Sequence, residues 1–321
     1  MDWRVPFCCF LFAVINLLMV STGAARLAGV YTKRIATALT LFNTFILVSR
    51  MANLLMVPLI GKLADMARTT NNTPLLETQF RLILGSATVG CLLATLLIPT
   101  FVEIFNRGIK AFERTNSLPR MFLGLLNPRR SQFLGTLFVV SMVTVPSAFM
   151  WAESKGLLGH HGPVLAAVEG IVFALGVYLV LGLSSWVFHP EIFRRPGWMG
   201  VTLKSLSTIP NDFIFLNVFV QAFWTVGWMS AVYAGALNSK VAITSVSLSG
   251  IITGVSTILL TVFVDPKAAL ITDQALHGIK TEEQVKAVVI FLTLGSVFGT
   301  MFAQILFTPA AWLIGLVASH I

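Results

Sequence analysis

The chain has 321 residues, of which 56% are hydrophobic and only 11% charged, and its mean hydropathy is +0.86. Soluble domains carry roughly 25% charged residues, so these values exclude an ordinary soluble protein and point to a polytopic membrane protein. The net charge of +9 reads as basic loops and anionic lipid headgroups rather than a nucleic-acid surface, because no Gly-rich or basic-aromatic recognition module is visible.

The first apolar run, Val5 to Ala25, contains Asn16 and is read as a retained span. Arg4, the apolar run and the small residues from Ser21 to Ala25 also fit the layout of a signal peptide. Cys8 and Cys9 lie within it and Cys91 lies in a later apolar segment, which argues against a disulfide framework. Arg26 ends the first span, Lys33 and Arg34 begin the second, and a predicted turn over Leu27 to Thr32 gathers these three cations at one rim.

Ile35 to Gly61 is long enough to cross a bilayer with tilt. Arg50 stands near its middle, with Ser49 beside it. A cation at that depth costs several kcal/mol, so it is expected to face a protein interior or a wet cavity. Asn43, Arg50 and Asn53 keep spacings of three and seven, which place them on one helical face.

A polar link, Lys62 to Phe80, and Arg81 precede a third span, Leu82 to Ile104. Beyond it Phe101, Phe105, Ile109 and Phe112 alternate with Arg107, Lys110 and Arg114 at helical spacing. This pattern predicts an amphipathic basic helix on the membrane surface, or else a solvated charged connection, and Arg120, Arg129 and Arg130 extend the same basic loop.

A fourth span, Phe133 to Ala152, leads to Glu153, Lys155 and the pair His160-His161. Adjacent histidines share no helix face and no further ligand cluster follows, so no metal site is assigned. The fifth span, Val164 to Phe188, holds Glu169 about two turns in, and Arg194, Arg195 and Lys204 follow in a proline-punctuated link. The sixth, Phe213 to Leu237, is separated only by Asn238 to Lys240 from the seventh, Val241 to Val264, so these two are expected to be antiparallel neighbours.

After a polar segment, Thr281-Glu282-Glu283-Gln284 forms a capping-box pattern that starts the last span, which runs from near Gln284 to Ser319 and is expected to kink at Pro309. Gly250 with Gly254, and Gly295 with Gly299, are small-xxx-small pairs suited to close helix packing. LTLFNTF leading to ANLLMVP from Leu39 is similar to LTLGSVF leading to AQILFTP from Leu292, which raises an internal repeat.

The fold class that follows is all-α: a transmembrane helix bundle of about eight spans, forming one integral membrane domain over 1–321. The lysine and arginine bias puts the Arg26–Arg34 rim, Arg107 to Arg130 and Arg194-Arg195 inside. Both termini, His160-His161 and the Asn238 turn are then outside.

The run ARLAGVYTKRIATALTLFN, followed by SR, N and PLIG between Arg26 and Asp65, resembles the Amj family of bacterial lipid II flippases, alternates to MurJ. The resemblance implies a multi-pass protein of the bacterial cytoplasmic membrane. It further implies that the protein is not an enzyme, takes no cofactor, and moves the undecaprenyl-pyrophosphate-linked precursor lipid II between leaflets, with membrane lipids as its other partners. Under that reading Arg26, Lys33 and Arg34 capture the pyrophosphate, whereas by composition alone they obey the positive-inside rule.

Arg50 can bind phosphate through its guanidinium fork, with Asn43 and Asn53 as further substrate-binding candidates. Alternatively Arg50 pairs with Glu169, whose depth differs from it by only about 5 Å, and Glu169 serves either proton coupling or counter-ion duty. Gly61-Lys62 lacks the rest of a Walker A motif, so ATP hydrolysis is not expected. A secondary carrier of another anionic substrate and a membrane enzyme on lipid phosphates are the competing functions. The second lacks an acidic or metal-ligating cluster.

The orientation has a direct check. In a background without native cysteines, a cysteine replacing His160 reacts with an impermeant thiol reagent added to whole cells, and one replacing Arg107 does not. The opposite labelling pattern inverts the topology.

Overall fold

The computed structural model describes residues 2–117, 201 and 209–321. The expected fourth and fifth spans lie outside the described residues, as do Glu169, His160-His161 and the basic residues from Arg120 to Arg195. Within the described residues all regular structure is helical: α1 (Arg4–Thr32), α2 (Ile35–Thr70), α3 (Thr73–Thr115), α4 (Asn211–Leu237), α5 (Ala242–Leu259), α6 (Asp265–Leu276) and α7 (Glu282–His320). A 3₁₀ turn, Ser239–Val241, joins α4 to α5, and a π turn, Leu260–Val264, carries α5 directly into α6. Six helical segments are long and apolar enough to cross a membrane, with Ser239–Leu276 counting as one.

Several boundaries depart from expectation in the same direction, because stretches that read as loops continue the helices. The turn expected over Leu27 to Thr32 is helical, and only Lys33 and Arg34 separate α1 from α2, with Lys33 in the left-handed conformation at the C-cap. The link expected over Lys62 to Phe80 shrinks to Asn71-Asn72, and the Asn72 side chain caps α3 by accepting from the Leu75 amide. The polar segment after Asp265 is largely α6. The capping box forms as expected: Thr281 accepts from the Gln284 amide while the Gln284 side chain accepts from the Thr281 amide.

The largest correction concerns the surface helix. α3 is a single helix of 43 residues, about 65 Å long against a hydrocarbon core of about 30 Å. Phe101, Phe105 and Ile109 are buried against Leu27, Ala28, Val30 and Leu41 of α1 and α2. The amphipathic pattern is real, but its apolar face meets protein rather than lipid.

Counting α5–α6 as one segment, the described helices form two units of three, α1–α3 and α4–α7, running in opposite directions. In the first, α1 and α3 lie parallel with backbones in contact: a Cβ on Gly90 would overlap the Ala13 carbonyl. In the second, α4 and α7 lie parallel, joined by Asn217 Nδ2 to the Leu292 carbonyl at 2.9 Å and Ser230 Oγ to the Phe307 carbonyl at 3.1 Å. Gly295 and Gly299 make that approach possible, since a Cβ on Gly299 would stand 2.7 Å from the Val218 carbonyl. Gly250 and Gly254 face open space instead and seat no described helix.

In both units the middle helix is an outer arm, α2 in one and α5–α6 in the other, and each arm leaves most of its apolar surface exposed, including Leu54 and Leu55 on α2 and Ile251 and Ile258 on α5. The units meet along an antiparallel α3–α7 seam. The correspondence is thus α1 with α4, α2 with α5 and α3 with α7, each reversed. It does not equate α2 with α7, the pair whose sequences are similar from Leu39 and Leu292.

Candidate functional site

A cavity of about 100 Å³ opens between α1, α2, α4, α7 and the π turn, toward the end of the bundle that carries the Lys33-Arg34 turn. Arg26 forms part of its wall. Because α1 continues to Thr32, Arg26 lies about 9 Å inside the helix end and is 8% exposed. The rim position expected for it is therefore replaced by an interior one. Its Nη2 donates to Asp265 Oδ1 at 2.6 Å, its guanidinium lies 5.2 Å from the centre of the Phe42 ring, and its Nε is buried without a partner among the described residues.

Asp265 is the first residue of α6, so the π turn that precedes it carries the carboxylate to the cavity. Such turns recur at functional positions because one residue is inserted into the helical register.

The rest of the lining is uncharged and mostly apolar, with Met19, Phe42, Ile46 and Leu260 among it, and Thr22, Asn217, Gln221 and Ser296 add polar groups. Gln221 Nε2 lies 3.4 Å from Asn16 Oδ1, and Cys91 Sγ lies 3.8 Å from the same oxygen. Asn16 is fully enclosed, and its Nδ2 donates to the Phe12 carbonyl at 2.9 Å. From the cavity a polar stripe climbs α7 through Thr293, Ser296, Thr300 and Gln304, all buried.

The stripe ends at an ionic cluster near the opposite end. There Arg81 donates to Glu77 at 2.8 Å, to the Gln304 carbonyl at 3.0 Å and to Thr308 Oγ1 at 2.7 Å, while Tyr233 donates to Glu77 at 3.1 Å. Asp265, Asn217, Gln221 and the α7 stripe were not singled out from the sequence, although the spacing of three and four between Thr293, Ser296, Thr300, Gln304 and Thr308 is a helical stripe legible there.

The residues predicted on α2 do not converge on this cavity as a set. Phe42 and Ile46 line it, whereas Asn43 and Arg50 are exposed and Asn53 is half-buried with an unpaired Oδ1. Arg50, one turn beyond Ile46, makes no ion pair among the described residues. At the rim, Lys33 is exposed, and Arg34 is paired with Glu113 of α3 at 2.6 Å. The three cations expected at one rim are thus one interior residue and two surface ones.

These features define a polytopic α-helical membrane protein with a buried polar seam running from an arginine-lined cavity to an ionic cluster near the far end. A family model described as Alternate to MurJ, or Amj, matches residues 11–158 and 175–318. A curated relative, "Lipid II flippase Amj" of Bacillus subtilis (strain 168), is 30% identical over 308 residues, covering 95% of this chain and 93% of the relative. The chain belongs to the Amj family. No solved structure gives a significant match.

The Arg26–Asp265 pair predicts an asymmetric response to mutation. The Arg26 side chain is 7% exposed and that of Asp265 37%, so deleting the carboxylate strands a buried guanidinium, whereas deleting the guanidinium leaves a carboxylate that can still be hydrated. Asp265→Leu is therefore expected to lower the melting temperature of the detergent-purified protein more than Arg26→Met does. Each 1 kcal/mol of difference corresponds to roughly 2–4 °C. Equal losses would mean that the two groups are equally enclosed.

Proposed function

We propose that the protein flips lipid II from the inner to the outer leaflet of the bacterial cytoplasmic membrane. Family membership names the activity class, and the observation that carries the physical case is Arg26, a buried guanidinium on a cavity wall from which a hydroxyl- and amide-lined seam continues. A pyrophosphate needs a cation in a low-dielectric site, and guanidinium supplies paired donors matched to its oxygens. The uncharged sugars need hydrogen-bonding partners instead, which the Thr293–Gln304 stripe, Asn16 and Gln221 offer. The polyprenyl tail stays in lipid along the exposed apolar faces of the outer arms. In this reading Lys33 and Arg34 attract the headgroup at the cytoplasmic rim, and Arg50 with Asn43 and Asn53 meets it deeper in the membrane. The transport uses neither ATP nor nucleic acid.

The cavity volume limits the conformation. About 100 Å³ is well below the roughly 300–1,000 Å³ of sites that enclose small molecules, so it admits a phosphate group but not a disaccharide-peptide. Passage requires the α2 and α5–α6 arms to move apart, in keeping with rocking between oppositely directed units.

The reading is tested by complementation in cells depleted of their known lipid II flippases. The wild-type chain is expected to restore growth, Arg50→Ala to abolish rescue at unchanged membrane abundance, and Arg50→Lys to rescue in part, since an ammonium cannot form the bidentate fork. Full rescue by Arg50→Ala removes that residue from the path. A second measurement addresses the arms: with native cysteines removed, bridging cysteines at Ile46 and Leu260 with a short bifunctional thiol reagent should stop flipping, and cleaving a reducible version of the bridge should restore it. Undiminished flipping in the bridged protein would show that these walls do not separate.

A further inference from the structure

The two outer arms are each tied to the first helix of the other unit, once at each end of the bundle. At one end Arg68 of α2 donates through Nη2 to the Gly235 carbonyl of α4 at 2.7 Å. At the other, Arg26 of α1 holds Asp265, which belongs to the α5–α6 arm. The two ties are chemically unequal. Arg68 grips a backbone carbonyl, and the α3–α7 seam at that end is further fastened by Arg81, Glu77, Tyr233 and Thr308. Arg26 grips a side-chain anion through one nitrogen. Nε is unsatisfied in both Arg26 and Arg68, but Arg26 and its carboxylate partner line the cavity, whereas Arg68 holds a carbonyl that is part of a helix backbone.

An arginine fork bound through a single nitrogen, with a second donor buried and idle beside a cavity, has capacity for a better acceptor. A pyrophosphate carries more charge and more oxygens than one carboxylate. Asp265 is also the partner able to leave, because its side chain is 37% exposed, its arm is mostly unburied apart from Val264, Ala268 and Thr272, which must shift with it, and a π turn with interrupted hydrogen-bond register adjoins it.

We infer that Asp265 is a resident stand-in for the substrate anion: the pyrophosphate displaces it from Arg26, and its release frees the α5–α6 arm to open the cavity at that end while the Arg68 and Arg81 contacts keep the other end closed. The exchange couples loading to opening and makes an anion the condition for it. When the cavity is empty, Asp265 restores the pair and the arm closes. This inference rests on the flippase reading for the identity of the anion, but the exchange itself is tested separately.

The test uses the full-length protein in nanodiscs, lacking native cysteines, with farnesyl pyrophosphate as the probe. Asp265→Asn removes the competing charge and is expected to bind the probe about tenfold tighter than the parent, while Arg26→Gln binds it at least about tenfold more weakly. A cysteine at Leu260 should be labelled faster by a water-soluble thiol reagent when the probe is added to the Asp265 protein, and equally fast with or without probe in Asp265→Asn. If Asp265→Asn does not yield monodisperse protein, Asp265→Ser takes its place.

A purely structural pair would instead give unchanged probe affinity in Asp265→Asn and probe-independent labelling in the parent, and either result overturns the inference. Failure of the wild-type chain to complement flippase-depleted cells would overturn the lipid II reading alone, leaving the exchange standing for another pyrophosphate lipid.

Discussion

An arginine enclosed within a helix bundle that spans a membrane cannot be left without an anion, and the arrangement around the cavity follows from that requirement. Hydrocarbon offers no solvation to a guanidinium, so Arg26 must find its counter-charge within the protein. The partner it finds is 239 positions away in sequence, at the point where a helix passes through a π turn into its next segment. That single contact ties the outer arm of one unit to the innermost helix of the other. It also leaves part of the fork unused, and a cavity with a few polar groups in a mostly apolar lining forms beside it.

Elsewhere the bundle is held by forces suited to lipid. Between helices in a bilayer the apolar effect contributes little, because lipid tails are as apolar as leucine, and association relies on close packing and interhelical hydrogen bonds. Gly90 against Ala13, and Gly295 and Gly299 against α4, bring backbones together within each unit. Asn16, Gln221, Asn217 and Gln304 supply hydrogen bonds across and within the units. The same side chains form the seam, so in the proposed function the groups that fasten the bundle are also the ones offered to a sugar headgroup.

The opposed direction of the two units gives this economy a geometry. Two parallel pairs, α1 with α3 and α4 with α7, meet antiparallel, and each unit sends an arm across to the other at opposite ends. One end is closed by a cluster of four side chains and a backbone contact, the other around a salt bridge with an idle donor. Under the proposed exchange, the end held by the salt bridge is the one that opens.

The sequence determined what depends on local composition. Apolar length specified membrane-crossing helices, the Thr281–Gln284 capping box specified the start of α7, the tight Asn238–Lys240 connection specified an antiparallel pair, and the basic run from Arg26 specified the family. It misplaces boundaries where a helix continues through residues that read as a turn or link, since hydropathy reports the hydrocarbon slab and not the hydrogen bonds of the helix. Phe101, Phe105 and Ile109 carried a correct amphipathic period, yet period cannot distinguish a lipid surface from the flank of α1.

The site was legible only in part, because a charge inside a span announces a function without naming its partner. Arg50 is the deepest cation by sequence, but α2 is an outer arm and leaves it exposed. Arg26 reads as a rim residue from hydropathy, but α1 runs to Thr32 and encloses it. Which cation is buried, and that Asp265 is its anion, was decided by tertiary structure alone: burial depends on which helix lies inside the bundle, and a contact between residues 26 and 265 arises from how the two units are set against each other, which no local pattern records.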